Sequence, residues 1–471
     1  MMSAREQELR NQAERALQSA ATDDYRQHFH IQPPVGLLND PNGLIEFQGE
    51  YHVFYQWNPF ETAHGAKFWA HMTSTDLVHW QWHEPALVPS EWYEKNGCYS
   101  GSAVVVGDEL WLYYTGNVKG ENNERFTYQC LAVSADGRTF HKEGPVLNLP
   151  DGYTPHFRDP KVWLEDETFY MVIGAQNEQE TGRAPVFTST DGRSFEQLGE
   201  VSESGTESLG AFGYMWECPD LFSLNDTDVL LFSPQGLEAD GTKYQNVFQA
   251  GYVAGTWDQT TGRLHHGAFH ELDEGFEFYA PQTFTDRYGR RLMFGWMGVP
   301  EQYEKSQPTV TNGWVHCLTL PRVLTYSGGR IYQQPAEELK KLRQDQQHFV
   351  TTGEGLEIHA GSAYEFEFEP KQDSRWSLMF GDGALLEWDP VKRRLICTRT
   401  NWETGEEEKR VAEISTMEKL QGFVDASSIE LFINNGEKVM TARIFPNHRA
   451  FRYEGKAGNQ LTLYPFAALD E

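Results

Sequence analysis

A unit of polar head, strand, tight turn and second apolar strand returns five times in this chain, and no other feature narrows the fold as far. The heads stand at Asn39-Asp40-Pro41, Tyr99-Ser100-Gly101, Arg158-Asp159-Pro160, Glu217-Cys218-Pro219 and Tyr279-Ala280-Pro281. They recur about every 60 residues, a period that belongs to propellers and repeat arrays. A four-stranded blade with its loops fills that length. The innermost strands of a propeller run side by side around a channel, so their first residues converge at one end of the axis. That geometry brings Asp40, Asp159 and Glu217 together although they lie far apart in the chain.

The repeat ends near residue 330. Residues 335–347 read as a short helical connector. Strand alternation then resumes, with a meander over 375–400 and a hairpin whose type I′ signal is Asn435-Gly436. Residues 3–20 read as an amphipathic helix, with Leu9, Ala13 and Leu17 on one stripe. The expected architecture is all-β: a five-bladed β-propeller followed by a C-terminal β-sandwich, behind a short N-terminal helix. The expected domains are a helical extension over 1–27, the catalytic propeller over 28–334, a linker over 335–347 and the sandwich over 348–471. The sandwich carries no evident catalytic constellation and reads as a support or a homo-oligomer interface.

Composition excludes several classes of function. The net charge is −30 and no Lys/Arg run appears, which argues against nucleic acid and anionic membranes. Aromatic residues make up 14% of the chain. Most belong in a core, but such rings also cover the apolar faces of sugars. The five cysteines form no C-x-x-C pair, so neither a disulfide framework nor a zinc site is expected. The polar N-terminus lacks the apolar stretch of a signal peptide, and the expected location is the cytoplasm.

Cleaving a glycosidic bond takes two carboxyl groups, one ionised and one protonated. Asp40 heads a buried-looking strand, and Asn39 beside it is placed to donate a hydrogen bond that keeps it ionised; the alternative is a solvated turn aspartate. Asp159 follows Arg158, which should hold it ionised for binding sugar hydroxyls; the alternative is a structural ion pair. Glu217 sits between Trp216 and Cys218, an apolar setting that would raise its proton affinity as an acid catalyst needs. The alternative is a strand glutamate facing solvent. Cys218 either tunes that environment or is a plain buried thiol.

Taken in order, these three motifs resemble glycoside hydrolase family 32, over about residues 28–335 and again in the hairpin around Ile433-Asn434-Asn435-Gly436. The segments around Gln56, Trp69, Tyr99 and Ser100 strengthen the resemblance. It implies a five-bladed propeller with a C-terminal sandwich and a retaining β-fructofuranosidase acting on sucrose or sucrose 6-phosphate. It implies Asp40 as nucleophile, Glu217 as general acid/base, and Asp159 with Arg158 on the fructose hydroxyls. It implies substrate contacts from Gln56, Trp69, Ser100 and Trp296, with Asn39 and Tyr99 lining the fructose subsite and Tyr279 at a cleft-facing head. Leu37-Leu38 stand where many members have Trp-Met, so the subsite loses an aromatic wall there. No cofactor or metal is implied; His28, His30, His64 and His71 fit no zinc spacing.

The alternatives left open are a fructan-degrading or fructosyl-transferring relative and, in another class, a carbohydrate-binding propeller without catalysis. Sucrose and sucrose 6-phosphate are not distinguished. His64, Lys67, Lys119 and Arg125 lie in segments that reach toward the leaving glucose; solvated surface charge is the other reading of them.

Overall fold

The computed structural model describes residues 3–122, 124–371 and 374–467. The expected spans 1–27 and 348–471 therefore include residues 1–2, 372–373 and 468–471, which lie outside the described ones. Five sheets are built from consecutive antiparallel strands over 36–87, 98–148, 153–203, 215–271 and 279–335. The first strands of the five sheets pack against one another in a closed ring, the fifth against the first. The fold is a five-bladed β-propeller followed by a β-sandwich. The ring is tied shut by Trp314–Val315, which pairs in parallel with Gly36 and Leu37 on the inner edge of the first blade.

The inner strands share a defect that sets up everything at the site. In each, the register against the second strand slips within the head: after Leu38, Tyr99, Arg158, Glu217 and Tyr279. These slips are β-bulges, which bend a strand and re-aim its side chains. Four coincide with a proline (Pro41, Pro160, Pro219, Pro281), a residue that cannot donate to the ladder and suits a bulge. The second blade uses Gly101 instead, where an added Cβ would stand 1.9 Å from the Tyr113 carbonyl oxygen. Asp159, Cys218 and Ala280 take left-handed φ values of 65°, 48° and 48°. Strain of this kind costs on the order of 1–3 kcal/mol per residue and collects at functional sites.

The N-terminal helix covers Ala4–Leu17, three residues short of the expected end. Ser3 caps it by accepting from the Glu6 amide. It stops because the Ser19 hydroxyl donates to the Ala16 carbonyl, 2.7 Å, a local bond that competes with further helix. Its Leu9, Ala13 and Leu17 pack onto the propeller core as the stripe predicts. The connector is a single 3-10 segment, Glu337–Leu342. Two six-stranded sheets then face each other across a dense apolar core. The meander is present, and so is the hairpin, but its turn is shifted by one residue. The central left-handed pair is Asn434-Asn435, closed by the Gly436 amide donating to the Ile433 carbonyl. Gly436 is pinned outside the pair because its carbonyl faces the fifth blade and accepts from the Gln333 amide.

Propeller and sandwich are joined by buried ions. His30 bonds Asp425 at 2.8 Å and Glu430 at 3.0 Å, and Arg322 reaches Glu430 at 2.6 Å and Asp273 at 3.2 Å. His30 is thus a structural tie rather than a metal ligand. Burial alone would pull its imidazolium down, but the bonds to Asp425 and Glu430 outweigh that and bring it up to about 8. A folded value above the ordinary 6.5 means that the tie is complete below 6.5 and is lost as pH rises through about 8. Replacing His30 by glutamine leaves the buried Asp425 without its cation and Glu430 with Arg322 alone. The expected cost is about 3–5 kcal/mol, read by denaturant unfolding at pH 6. A loss too small to measure would show that the tie is not ionic.

Candidate active site

The bulges place two residues of every head toward the channel, in two stacked rings of five. One ring holds Asn39, Tyr99, Arg158, Glu217 and Tyr279. The other, one residue on, holds Asp40, Ser100, Asp159, Cys218 and Ala280. Of these ten, only Asp40, Tyr99, Arg158 and Glu217 retain partial exposure. The funnel therefore opens onto two carboxyl groups, one from each ring, with Asp159 buried beside them.

Asp40 accepts from the Ser100 hydroxyl at 2.6 Å and from the Asn39 amide at 3.1 Å. The Cys218 thiol lies 3.6 Å from both Asp40 and Asp159 and bridges them. Cys218 thus serves the two aspartates and not the carboxyl of its neighbour Glu217. Burial, then the charges of Asp159 and Asp40, push its thiol well above the usual range, so it stays a neutral donor. The ligand atoms of Asp40, Asp159 and Cys218 lie within 4.8 Å of one another, yet a thiol held protonated is a poor partner for a metal.

Charge is arranged differently from the expectation. Arg158 does not pair with the adjacent Asp159. Its Nε and Nη2 both donate to Glu217 Oε1, at 2.9 and 2.7 Å, because Arg158 and Glu217 share a ring. Glu217 Oε2 accepts from the Tyr279 hydroxyl at 2.6 Å and from Gln235 Nε2 at 2.8 Å. Burial pushes Glu217 up, but Arg158 and these bonds outweigh it and hold the carboxyl below its ordinary value. Asp159 moves the other way. Burial, aided by Glu217 and Asp40 and opposed by Arg158, takes it up to about 7. Burial also pushes Asp40 up, against the bonds from Ser100 and Asn39. In the ligand-free site proton affinity is thus raised on the two aspartates and lowered on Glu217. Asp159 Oδ2 accepts from the Cys218 amide at 3.0 Å, while Oδ1 has no hydrogen bond among the described residues.

Gln56 and Trp69 are buried and brace the second head: Gln56 Nε2 donates to the Cys98 carbonyl and Trp69 Nε1 to that of Tyr99. Trp296 is buried beside Tyr279, His64 and His316. Leu37 and Leu38 are each about 1% exposed or less, and Leu38 packs into the propeller core. Lys67 donates to Asn39 at 2.6 Å and to His64, which in turn bonds Glu304. Gln235 and His156 were not singled out from the sequence. Each is a lone polar residue whose place follows only from ladder register.

Residues 30–335 match the glycosyl hydrolases family 32 N-terminal domain, and residues 338–465 match the family 32 C-terminal domain. The chain is 50% identical over 454 residues to a sucrose-6-phosphate hydrolase of Bacillus subtilis, covering 94% of this chain and 95% of that one. It is 47% identical over 429 residues to a sucrose-6-phosphate hydrolase of Salmonella typhimurium, covering 91% and 90%. Among solved structures, a GH32 β-fructofuranosidase of Bombyx mori superposes with a TM-score of 0.88 at 34% identity, covering 98% of both chains.

Proposed function

The chain belongs to glycosyl hydrolase family 32, and on that premise we propose that it is a retaining β-fructofuranosidase whose preferred substrate is sucrose 6-phosphate. The observation that carries the mechanism is the partition of the three carboxyls: Asp40 and Glu217 open into the funnel, whereas Asp159 is 5% exposed. Asp40 attacks the anomeric carbon of the fructosyl unit. Glu217 protonates the departing glucosyl oxygen and afterwards takes a proton from water. Asp159, through its unbonded Oδ1, and Arg158 hold fructose hydroxyls. Asn39, Tyr99 and Ser100 shape that subsite, Tyr279 positions Glu217, and Trp296 walls the first-blade side.

Arg158 gives the site a way to move its proton. Sugar hydroxyls that engage Arg158 weaken its hold on Glu217, so the carboxyl gains the proton when a leaving group is present. The propeller is the catalytic domain in this reading, with residues 348–471 as its support. A cytoplasmic location is supported by five free, buried cysteines, the pattern of a reducing compartment. Among the described residues no helix is long and apolar enough to cross a membrane.

The phosphorylated substrate is supported by the names of the two bacterial relatives at 50% and 47% identity. Plain sucrose is the second reading, supported by a variant of the Bombyx mori enzyme solved with sucrose. Measuring kcat/KM on both sugars decides between them. We expect the phosphorylated sugar to be favoured by at least about tenfold, the worth of one charge-assisted contact. Equal values would make sucrose the substrate.

A further inference from the structure

A second basic group lies beside Glu217, and the reaction chemistry above leaves its Arg125 and His156 unused. Arg158 Nη1 donates to His156 Nδ1 at 3.1 Å, and Arg125 Nη1 donates to the same nitrogen at 3.4 Å. A guanidinium cannot accept, so Nδ1 is the acceptor for both and the ring proton sits on Nε2 as a further donor. Burial, then the charges of Arg158 and Arg125, push His156 down to about 4, so the imidazole is neutral between two cations. Arg158 has Glu217 as its carboxylate, but Arg125 has none among the described residues. In a chain of net charge −30, an arginine without an acid partner that shares a histidine nitrogen with a second arginine is a conspicuous choice.

The position is also defined. Arg125 opens the third strand of the second blade, Arg125–Ser134, at the end of the ring where the heads converge. His156 precedes Asp159 by three residues on the inner strand of the third blade. Glu217 and Tyr99 lie within Coulombic reach of Arg125. Through Arg158 this group adjoins Glu217, where the bridging oxygen of a leaving sugar would rest. Of the other cations considered for the role, Lys119 stands exposed across the ladder from Arg125 without an acid partner among the described residues, and two are engaged elsewhere. Lys67 is buried against Asn39, and His64 is paired with Glu304.

We propose that Arg125 and His156, backed by Arg158, form the subsite for the phosphate of the leaving glucose 6-phosphate. The proposal rests on the reading that the chain cleaves sucrose 6-phosphate. Two guanidinium groups and an imidazole N–H match the several acceptor oxygens of a phosphate monoester, which two forked donors recognise better than point charges do.

The test compares kcat/KM on sucrose 6-phosphate with that on sucrose, for wild type, Arg125→Ala and Arg125→Lys. The ratio of the two values is expected to fall about 10- to 100-fold in Arg125→Ala, with partial recovery in Arg125→Lys. Inhibition by glucose 6-phosphate should weaken in parallel, and inhibition by fructose should not. A wild type that favours the phosphorylated sugar, with an unchanged ratio in Arg125→Ala, would place the phosphate elsewhere and overturn the subsite alone. A wild type with no preference would overturn the subsite together with the substrate reading, and that result is visible before any variant is made.

Discussion

Asp40→Asn is expected to lower kcat by about 10⁴-fold or more, the scale seen when a covalent nucleophile is removed. The amide has nearly the same shape as the carboxylate. It still accepts from the Ser100 hydroxyl, now at 2.6 Å, so the funnel keeps its form. What disappears is the negative charge that attacks the anomeric carbon. Stability should move in the opposite direction from activity. Burial pushes Asp40 up from its ordinary value, so the ionised group opposes folding at neutral pH. The neutral variant should therefore melt at the wild-type temperature or above it. Lost activity with an intact or raised Tm identifies a group kept for chemistry. Retained activity would remove Asp40 from the nucleophile's place.

Glu217→Gln is expected to cost about 10²- to 10⁴-fold in kcat, the usual worth of a positioned general acid/base. The loss should shrink for a fructoside whose leaving group needs no proton. The pH profiles carry the finer expectation. In the free enzyme Arg158 and Tyr279 hold Glu217 below its ordinary value, which is the wrong state for an acid. If substrate hydroxyls draw Arg158 away, the proton affinity of Glu217 rises in the complex. The alkaline limb of kcat, which reports the complex, should then lie at higher pH than that of kcat/KM, which reports the free enzyme. Glu217→Gln should lose that limb. Coincident limbs in the wild type would mean that Arg158 keeps its grip throughout.

The propeller was legible because its heads announce themselves. Pro41, Pro160, Pro219 and Pro281 each follow a polar or small residue before an apolar strand, and with Gly101 in the second place the heads are about 60 residues apart. The bulges those prolines mark were not legible, and they explain what the sequence reading missed. A regular strand sends neighbouring side chains to opposite faces. The bulges instead turn two successive residues toward the channel, one into each ring. Sequence adjacency therefore suggested Arg158 with Asp159, whereas ring membership joins Arg158 to Glu217. The same geometry moved Cys218 from Glu217 to the two aspartates. Gln235 reaches Glu217 only because strand pairing sets it opposite Met215, and nothing in its own neighbourhood signals that. The helix end and the hairpin turn missed by a few residues because a single hydroxyl, Ser19, and a cross-domain backbone pair at Gly436 decided them.

The central claim is a fructosyl unit bonded covalently to Asp40, and trapping it is the most direct test. Glu217→Gln slows the water step that releases the sugar, so the intermediate should accumulate when this variant is given a fructoside with a good leaving group. Acid quenching followed by intact-mass and peptide mass spectrometry should show one added fructosyl unit, carried by the peptide that contains Asn39-Asp40-Pro41. An adduct on Asp159, or turnover with no adduct and release of the inverted anomer, would contradict the account.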